Sequence, residues 1–267
     1  MPTSLNISKQ LLMKLLAALT FFTRLPFWKI REIPADDFKR VVPLWPLAGW
    51  ITGGVTALVL WLMLQVTTPA LAWIVALAAR LLLTGALHED GLADFIDGFG
   101  GGRNRERTLA IMKDSHIGTY GVIGLIIYYL LMMQLSDNVA PLILCLVVLC
   151  GDAWSKCCAA QIINLLPYAR NEDTAKNKTV YNRMTFWEWL VCLVCGIAPT
   201  AVIIIVLELL PVTYLLALVA PVVVMYLMAW VCRRRIGGYT GDCCGATFVL
   251  CELAFYLTIA IAFPIAG

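Results

Sequence analysis

Apolar positions along this chain fall in long blocks, not at every second residue or on one stripe of a helix. Blocks at 41–66, 69–87, 119–135, 139–163, 188–208, 212–231 and 246–266 each approach the roughly 20 residues that a helix needs to cross a bilayer. They predict seven transmembrane helices. An eighth apolar segment, 11–28 (LLMKLLAALTFFTRLPFW), is interrupted by Lys14, Arg24 and Pro26. Both a re-entrant or interfacial helix and a true span remain open for it. Short turns at 67–68, 136–138 and 209–211 alternate with long polar loops at 88–118, 164–187 and 232–245.

Composition supports the pattern. Of 267 residues, 61% are hydrophobic and 14% are charged, with a mean hydropathy of +0.84. A soluble domain of this size would carry more surface charge. The expected fold class is an all-α polytopic integral membrane protein with about seven or eight transmembrane helices, read as a single membrane-embedded catalytic domain over 1–267. The ten cysteines form no zinc-type or redox CxxC pattern and lie mostly in apolar segments, where thiols pack as small hydrophobes. The first apolar stretch lacks a clear small-residue cleavage site, so no cleavable signal is expected.

Charge fixes an expected orientation. If the spans alternate, segment 29–40 and all three long loops share one side, with Lys29, Arg31, Lys39, Arg40, Arg103, Arg105, Arg107, Lys113, Arg170, Lys176, Lys178, Arg183 and Arg233 to Arg235. The short turns opposite carry no Lys or Arg; the charges there are Asp137 and Glu208. By the positive-inside rule the long loops face the cytoplasm and carry the active site. Polar chemistry confined to one face weighs against a transporter, which needs polar groups near mid-membrane and access from both sides. Arg80, Asp152, Lys156 and Glu252 are the ionisable residues within or near predicted spans. Asp152 and Lys156, four apart, can pair on one helix face. The four are either structural ion pairs or the floor of a cytoplasmic-side cavity.

The densest chemistry is LHEDGLADFIDGFGGG at 87–102. Asp90, Asp94 and Asp97 are spaced i, i+4, i+7, which places them on one face of a helix. Three carboxylates in one patch repel unless a cation compensates, and such a cluster suits Mg²⁺ or Mn²⁺ shared with substrate phosphates. His88 is a local hydrogen-bonding group or a direct participant; no zinc motif accompanies it. Gly98 and Gly100 to Gly102 predict a turn with backbone N–H groups directed at an anion. Arg103, Arg105, Arg107, Lys113, Ser115 and His116 follow. Carboxylates for a metal with amides and guanidiniums for phosphates describe a metal–polyphosphate site. LLPYAR at 165–170 adds Tyr168 and Arg170, and the stretch from Arg233 to Glu252 adds Tyr239 and Asp242 just before the last span. Together these favour a membrane enzyme acting on a phosphorylated substrate; nucleic acid is not an expected partner.

LHEDGLADFIDGFGGG at 87–102, RERTLAIMKDSHIGTYG at 105–121, LPYAR at 166–170 and GGYTGDCCGA at 237–246 resemble the cobalamin synthase family, the adenosylcobinamide-GDP ribazoletransferases. The resemblance extends over essentially the whole chain. It implies a Mg²⁺-dependent enzyme of the bacterial inner membrane that joins adenosylcobinamide-GDP to α-ribazole, or its 5′-phosphate, and releases GMP. Within that reaction Asp90, Asp94 and Asp97, with Glu89 as a further ligand, would hold Mg²⁺. Arg103, Arg105 or Lys113 would hold phosphate oxygens, with Arg80, Ser115, Tyr168, Arg170, Tyr239, Asp242 and Glu252 as further substrate contacts. Asp97, Asp114 and His88 stay open as the general base. A homo-oligomer, or association with other enzymes of cobalamin synthesis, is compatible with it. The spaced aspartates also resemble CDP-alcohol phosphotransferases, but no arginine follows Gly91–Leu92–Ala93–Asp94, so that signature is incomplete. The rival readings are such a phosphotransferase and a cobalamin-precursor transporter.

Overall fold

The computed structural model describes residues 4–170, 180–206 and 211–262. The described chain is helical: α1 (Ser4–Phe22), α2 (Ala35–Phe38), α3 (Trp45–Leu64), α4 (Pro69–Thr84), α5 (Leu87–Gly101), α6 (Arg105–Lys113), α7 (Thr119–Asn138), α8 (Pro141–Leu165), α9 (Phe186–Val206), α10 (Pro211–Ile236) and α11 (Gly241–Ala262). Six of these stretches are long and apolar enough to cross a membrane, and a seventh span results if α4 and α5 count as one broken unit. This is a polytopic helical membrane protein, as the apolar blocks predict. Leu58, Ile126, Leu130, Val202, Ile205 and Leu227 are exposed on its sides, where lipid tails take the place of water.

Two helices form the middle. The apolar window of α8 is 72% buried and that of α11 is 61% buried, against 22% for α9. Small residues let the inner helices approach. Gly49 and Gly53, one turn apart on α3, face α8 so closely that a Cβ on Gly49 would lie 2.8 Å from Ala153 Cα. Without a hydrophobic drive between helices in lipid, such small-residue seams supply the packing contact. This seam sets Thr52 against α8, where its hydroxyl donates to Asp152 (2.9 Å) and accepts from Lys156 (3.1 Å).

Three expectations are corrected. The 69–87 block is not one straight span: α4 stops at Thr84, and α5 leaves at 88°. Gly85 (φ 65°) and Ala86 (φ 57°) are both left-handed, which turns the chain through nearly a right angle within two residues. Polar side chains from His88 onward would be costly along a straight path into lipid, and the bend lays α5 across the end of the bundle instead. The 88–118 stretch is therefore not a loop but α5 and α6. The expected glycine turn is absent as well, since Gly98, Gly100 and Gly101 are helical and the chain breaks only at Gly102. Those glycines serve close packing: a Cβ on Gly98 would meet the Met112 side chain of α6, and one on Gly100 would lie 2.8 Å from the Tyr120 ring. The helical part of 11–28 belongs to α1 and ends at Phe22, ahead of Arg24 and Pro26.

Candidate active site

Helix α5 carries the acidic residues, and its helical register does put Asp90, Asp94 and Asp97 on one face. Their surroundings differ along that face: Asp90 is exposed, Asp94 half-buried and Asp97 buried. Asp97 accepts the backbone N–H groups of Gly118 (2.7 Å) and Gly121 (2.8 Å). It thus caps the N-terminus of α7 from a neighbouring helix, using a full negative charge where the helix dipole favours one. Glu89 points the other way. It accepts from Arg80 (3.0 Å), which also donates to Glu252 (2.7 Å) and to the Tyr128 hydroxyl (3.1 Å). Tyr256 donates to the same Glu252 at 2.7 Å. This buried network ties α4, α5, α7 and α11 together; Arg80 is 3% and Glu252 0% exposed. The expected metal role of Glu89 and Asp97, and the substrate contacts expected of Arg80 and Glu252, meet side chains already committed to helix packing.

Asp90 instead lines a cavity of about 190 Å³ at the polar end of the bundle. Its walls come from the end of α1 (Phe21, Phe22), the start of α3 (Trp45), the first turns of α5 (Leu87, His88, Asp90, Gly91) and the first turns of α11 (Gly241, Asp242, Cys244, Gly245, Phe248), with Tyr181 on one side. Lys156 reaches it from α8, ion-paired with Asp152, its ammonium 4.0 Å from the Phe248 ring centroid. Of the four ionisable residues in the spans, Lys156 alone lines this cavity. His88 lies buried between Phe22 (ring centroids 5.6 Å apart) and Phe248 (4.2 Å).

Asp90 and Asp242 share the cavity because α5 and α11 cross at glycine. A Cβ on Gly91 would lie 3.3 Å from Gly245 Cα and 3.3 Å from Asp242 Cα. Helix α11 begins at Gly241, so Asp242 sits in its first turn and not ahead of it, with Thr240 accepting from Cys243 N–H as the cap. Among the described residues no three His, Cys, Asp or Glu side chains converge in a metal cage. Mg²⁺ does not require one: it keeps several waters and uses one or two carboxylates with substrate phosphates. Asp90 and Asp242 at one wall, with Asp94 one helical turn from Asp90, fit that demand as an oxygen donor set.

The basic residues are mostly structural. Arg105 donates to the carbonyls of Ile236 (2.8 Å) and Ala169 (2.7 Å), Arg170 to Leu109 (3.0 Å), Arg233 to Leu165 (3.0 Å) and Arg235 to Phe99 and Gly102. Several of these carbonyls end helices, where the last C=O groups lack intrahelical partners and cations are favoured. Tyr168 and Tyr239 form a parallel bridge that joins the chain after α8 to the chain before α11, with Ala169 N–H donating to Tyr239 O at 2.8 Å. Burial pushes both phenols above their ordinary value. Arg103, Lys113, Asp114 and Ser115 are exposed. Lys113 lines a shallow groove with Arg105, Glu106 and Arg170, outside the walls of the cavity. Asp114 pairs with the His116 imidazole at 2.7 Å, and that hydrogen bond holds its carboxyl below the ordinary value.

Phe21, Phe22, Trp45, Tyr181 and Phe248 had no place in the site read from sequence. Four of them lie inside apolar blocks and look like lipid-facing or core residues, Tyr181 lies in a polar loop outside every motif, and only the bend at Gly85–Ala86 brings α5 against them.

The fold and the cavity together define a polytopic membrane protein with a carboxylate-bearing, aromatic-walled pocket at one face. The chain belongs to the family described as cobalamin-5-phosphate synthase, whose profile matches residues 14–260. An adenosylcobinamide-GDP ribazoletransferase of Shewanella pealeana is 37% identical over 250 residues, covering 91% of this chain and 93% of the relative. Those of Shewanella halifaxensis and Shewanella piezotolerans are each 36% identical, covering 91% and 95% of this chain and 93% and 96% of the relatives. No solved structure matches.

Proposed function

We propose that this protein is an adenosylcobinamide-GDP ribazoletransferase: it joins adenosylcobinamide-GDP to α-ribazole, or to α-ribazole 5′-phosphate, and releases GMP. The family membership of residues 14–260 carries the reading, and a pocket joining Asp90 and Asp242 supports it. In the reaction a ribazole hydroxyl forms a P–O bond to the phosphorus on the cobinamide side. The bond from that phosphorus to the GMP oxygen breaks, GMP leaves, and the hydroxyl proton passes to a carboxylate or to water.

Asp90 and Asp94, with Asp242 across the α5–α11 crossing, are the residues that would hold Mg²⁺. When bound, that ion supplies charge neutralisation for a diphosphate and for the leaving phosphate. Asp90 is exposed at the cavity and therefore also stands within reach of the hydroxyl proton. Arg103 and Lys113, exposed on the same face, are available to non-bridging oxygens. Glu89, Asp97, Arg80 and Glu252 act by positioning α5. The positive charge on the long connections supports a bacterial inner-membrane protein with this face toward the cytoplasm, where a water-soluble nucleotide donor is present.

The deciding experiment is GMP release from adenosylcobinamide-GDP and α-ribazole by protein in nanodiscs, with Mg²⁺ and with EDTA. GMP release that needs both substrates and Mg²⁺ supports the assignment. CMP release from a CDP-linked lipid, or movement of substrate without cleavage, replaces it with the phosphotransferase or transporter reading.

A further inference from the structure

Four tryptophans of the bundle invite comparison. Trp50 donates its indole N–H to Cys195 O (2.8 Å), Trp73 to Met132 O (2.7 Å) and Trp154 to Leu218 O (2.9 Å), each on a neighbouring helix. Trp45 is 3% exposed, and its Nε1 has no partner among the described residues. His88, also 3% exposed, has an equally unpartnered Nε2. Both residues line the same cavity. A buried donor or acceptor left unpaired costs about 1–3 kcal/mol, so two in one pocket point to an occupant that satisfies them.

The rest of the wall says what kind of occupant. Phe22, Tyr181 and Phe248 complete an apolar, aromatic enclosure, with Tyr181 edge-on to Trp45 at 5.5 Å and Phe22 edge-on to it at 5.3 Å. Such walls favour a planar ring system. A volume of about 190 Å³ falls below the roughly 300–1,000 Å³ of sites that hold a whole drug-sized ligand. It takes one bicyclic base, not a corrinoid. Asp90 and Asp242 on the same wall offer acceptors to sugar hydroxyls.

We infer that this cavity is the subsite for the nucleoside acceptor, holding a benzimidazole base among Phe22, Trp45, Tyr181 and Phe248, with its ribose toward Asp90 and Asp242. The inference rests on the reaction proposed above and names where its acceptor sits. A dimethylbenzimidazole presents one acceptor nitrogen and two methyl groups, which suits the Trp45 indole N–H in an aromatic wall, and a ribose hydroxyl, donor and acceptor at once, suits His88 Nε2. Guanine, the other base in the reaction, is the competing occupant, and displacement by guanosine tells the two apart. With the base held, the ribose lies beside the carboxylates assigned to the metal, so the attacking hydroxyl and the diphosphate meet without a further search.

The test uses the full-length protein in nanodiscs. Equilibrium binding of labelled α-ribazole is measured without donor, for the wild type and for Trp45→Phe, which keeps the ring and loses the N–H. Phe248→Leu serves as a second variant, and Trp50→Phe, whose indole lies outside the cavity, as the control. The expected result is that Trp45→Phe and Phe248→Leu weaken α-ribazole binding about three- to tenfold, while Trp50→Phe binds as the wild type does. In turnover, KM for α-ribazole rises correspondingly and KM for adenosylcobinamide-GDP stays constant. Unchanged α-ribazole binding in Trp45→Phe and Phe248→Leu overturns the subsite, as does displacement of α-ribazole by guanosine. The two readings fail separately. Wild-type protein that binds α-ribazole through Trp45 yet releases no GMP sinks the reaction and leaves the subsite. GMP release with binding indifferent to these residues does the reverse.

Discussion

Asp97 on α5 accepts the backbone N–H of Gly121 on α7 over 2.8 Å, and a Cβ on Gly121 would lie 3.0 Å from Ala93 O. The carboxylate, read from the sequence as a metal ligand, is thus the N-terminal cap of another helix. Asp97→Ala removes both of its hydrogen bonds and is expected to lower stability by about 1–2 kcal/mol. Asp97→Asn keeps one acceptor oxygen and should lose less. Thermal unfolding in detergent checks both, with turnover in parallel. A stable Asp97→Asn protein with no turnover would return Asp97 to the metal site.

Asp90, Asp94 and Asp242 behave differently if they carry the chemistry. Asp90→Asn, Asp94→Asn and Asp242→Asn are each expected to cut GMP release by roughly a hundredfold or more, with insertion and thermal unfolding close to wild type. EDTA should have the same effect on the wild type, reversed by Mg²⁺ and without loss of helical circular dichroism. Full turnover in Asp94→Asn would remove it from the metal set.

What the sequence disclosed followed physical scale. Apolar blocks as long as a bilayer core are a strong signal, and the spans from Val42, Thr119, Pro141 and Phe186 onward start within a few residues of where the pattern sets them. Asp152 with Lys156 was equally legible, because i, i+4 spacing on a helix leaves little else for a buried pair to do. The bend was not. Nothing in a run from Pro69 to Gly101 marks Ala86 as left-handed, and glycines near the acidic face suggested a turn some twelve residues too late. Missing the bend hid the cavity, since Phe22, Trp45 and Phe248 become neighbours of His88 only when α5 lies across the bundle.

The Arg80 network gives a sharper mutational contrast. Arg80→Met leaves Glu89 and Glu252 buried without their cation, which typically costs about 3–5 kcal/mol. The expected outcome is low membrane yield and loss of all activity. Adding Glu252→Gln to Arg80→Met removes one of the stranded charges and should restore part of the yield. Expression and detergent unfolding of the single and double variants test this. A stable single variant with raised KM would instead make Arg80 a substrate contact.

Arg105 and Lys113 face the same groove and separate two meanings of a basic loop residue. Arg105 already donates to Ile236 O and Ala169 O, holding the chain after α8 beside the end of α10. Lys113 is exposed at the last turn of α6. Arg105→Ala should therefore lower stability by about 1–3 kcal/mol and make the 233–240 connection easier to cleave with trypsin, with kcat falling for both nucleoside acceptors alike. Lys113→Ala should leave unfolding unchanged, because an exposed lysine contributes little. Its effect, if it holds a diphosphate oxygen, is a rise of roughly tenfold in KM for adenosylcobinamide-GDP alone. Steady-state kinetics with each substrate varied in turn reads the difference. A Lys113→Ala enzyme with wild-type KM for the donor would leave Arg103 to meet the phosphates.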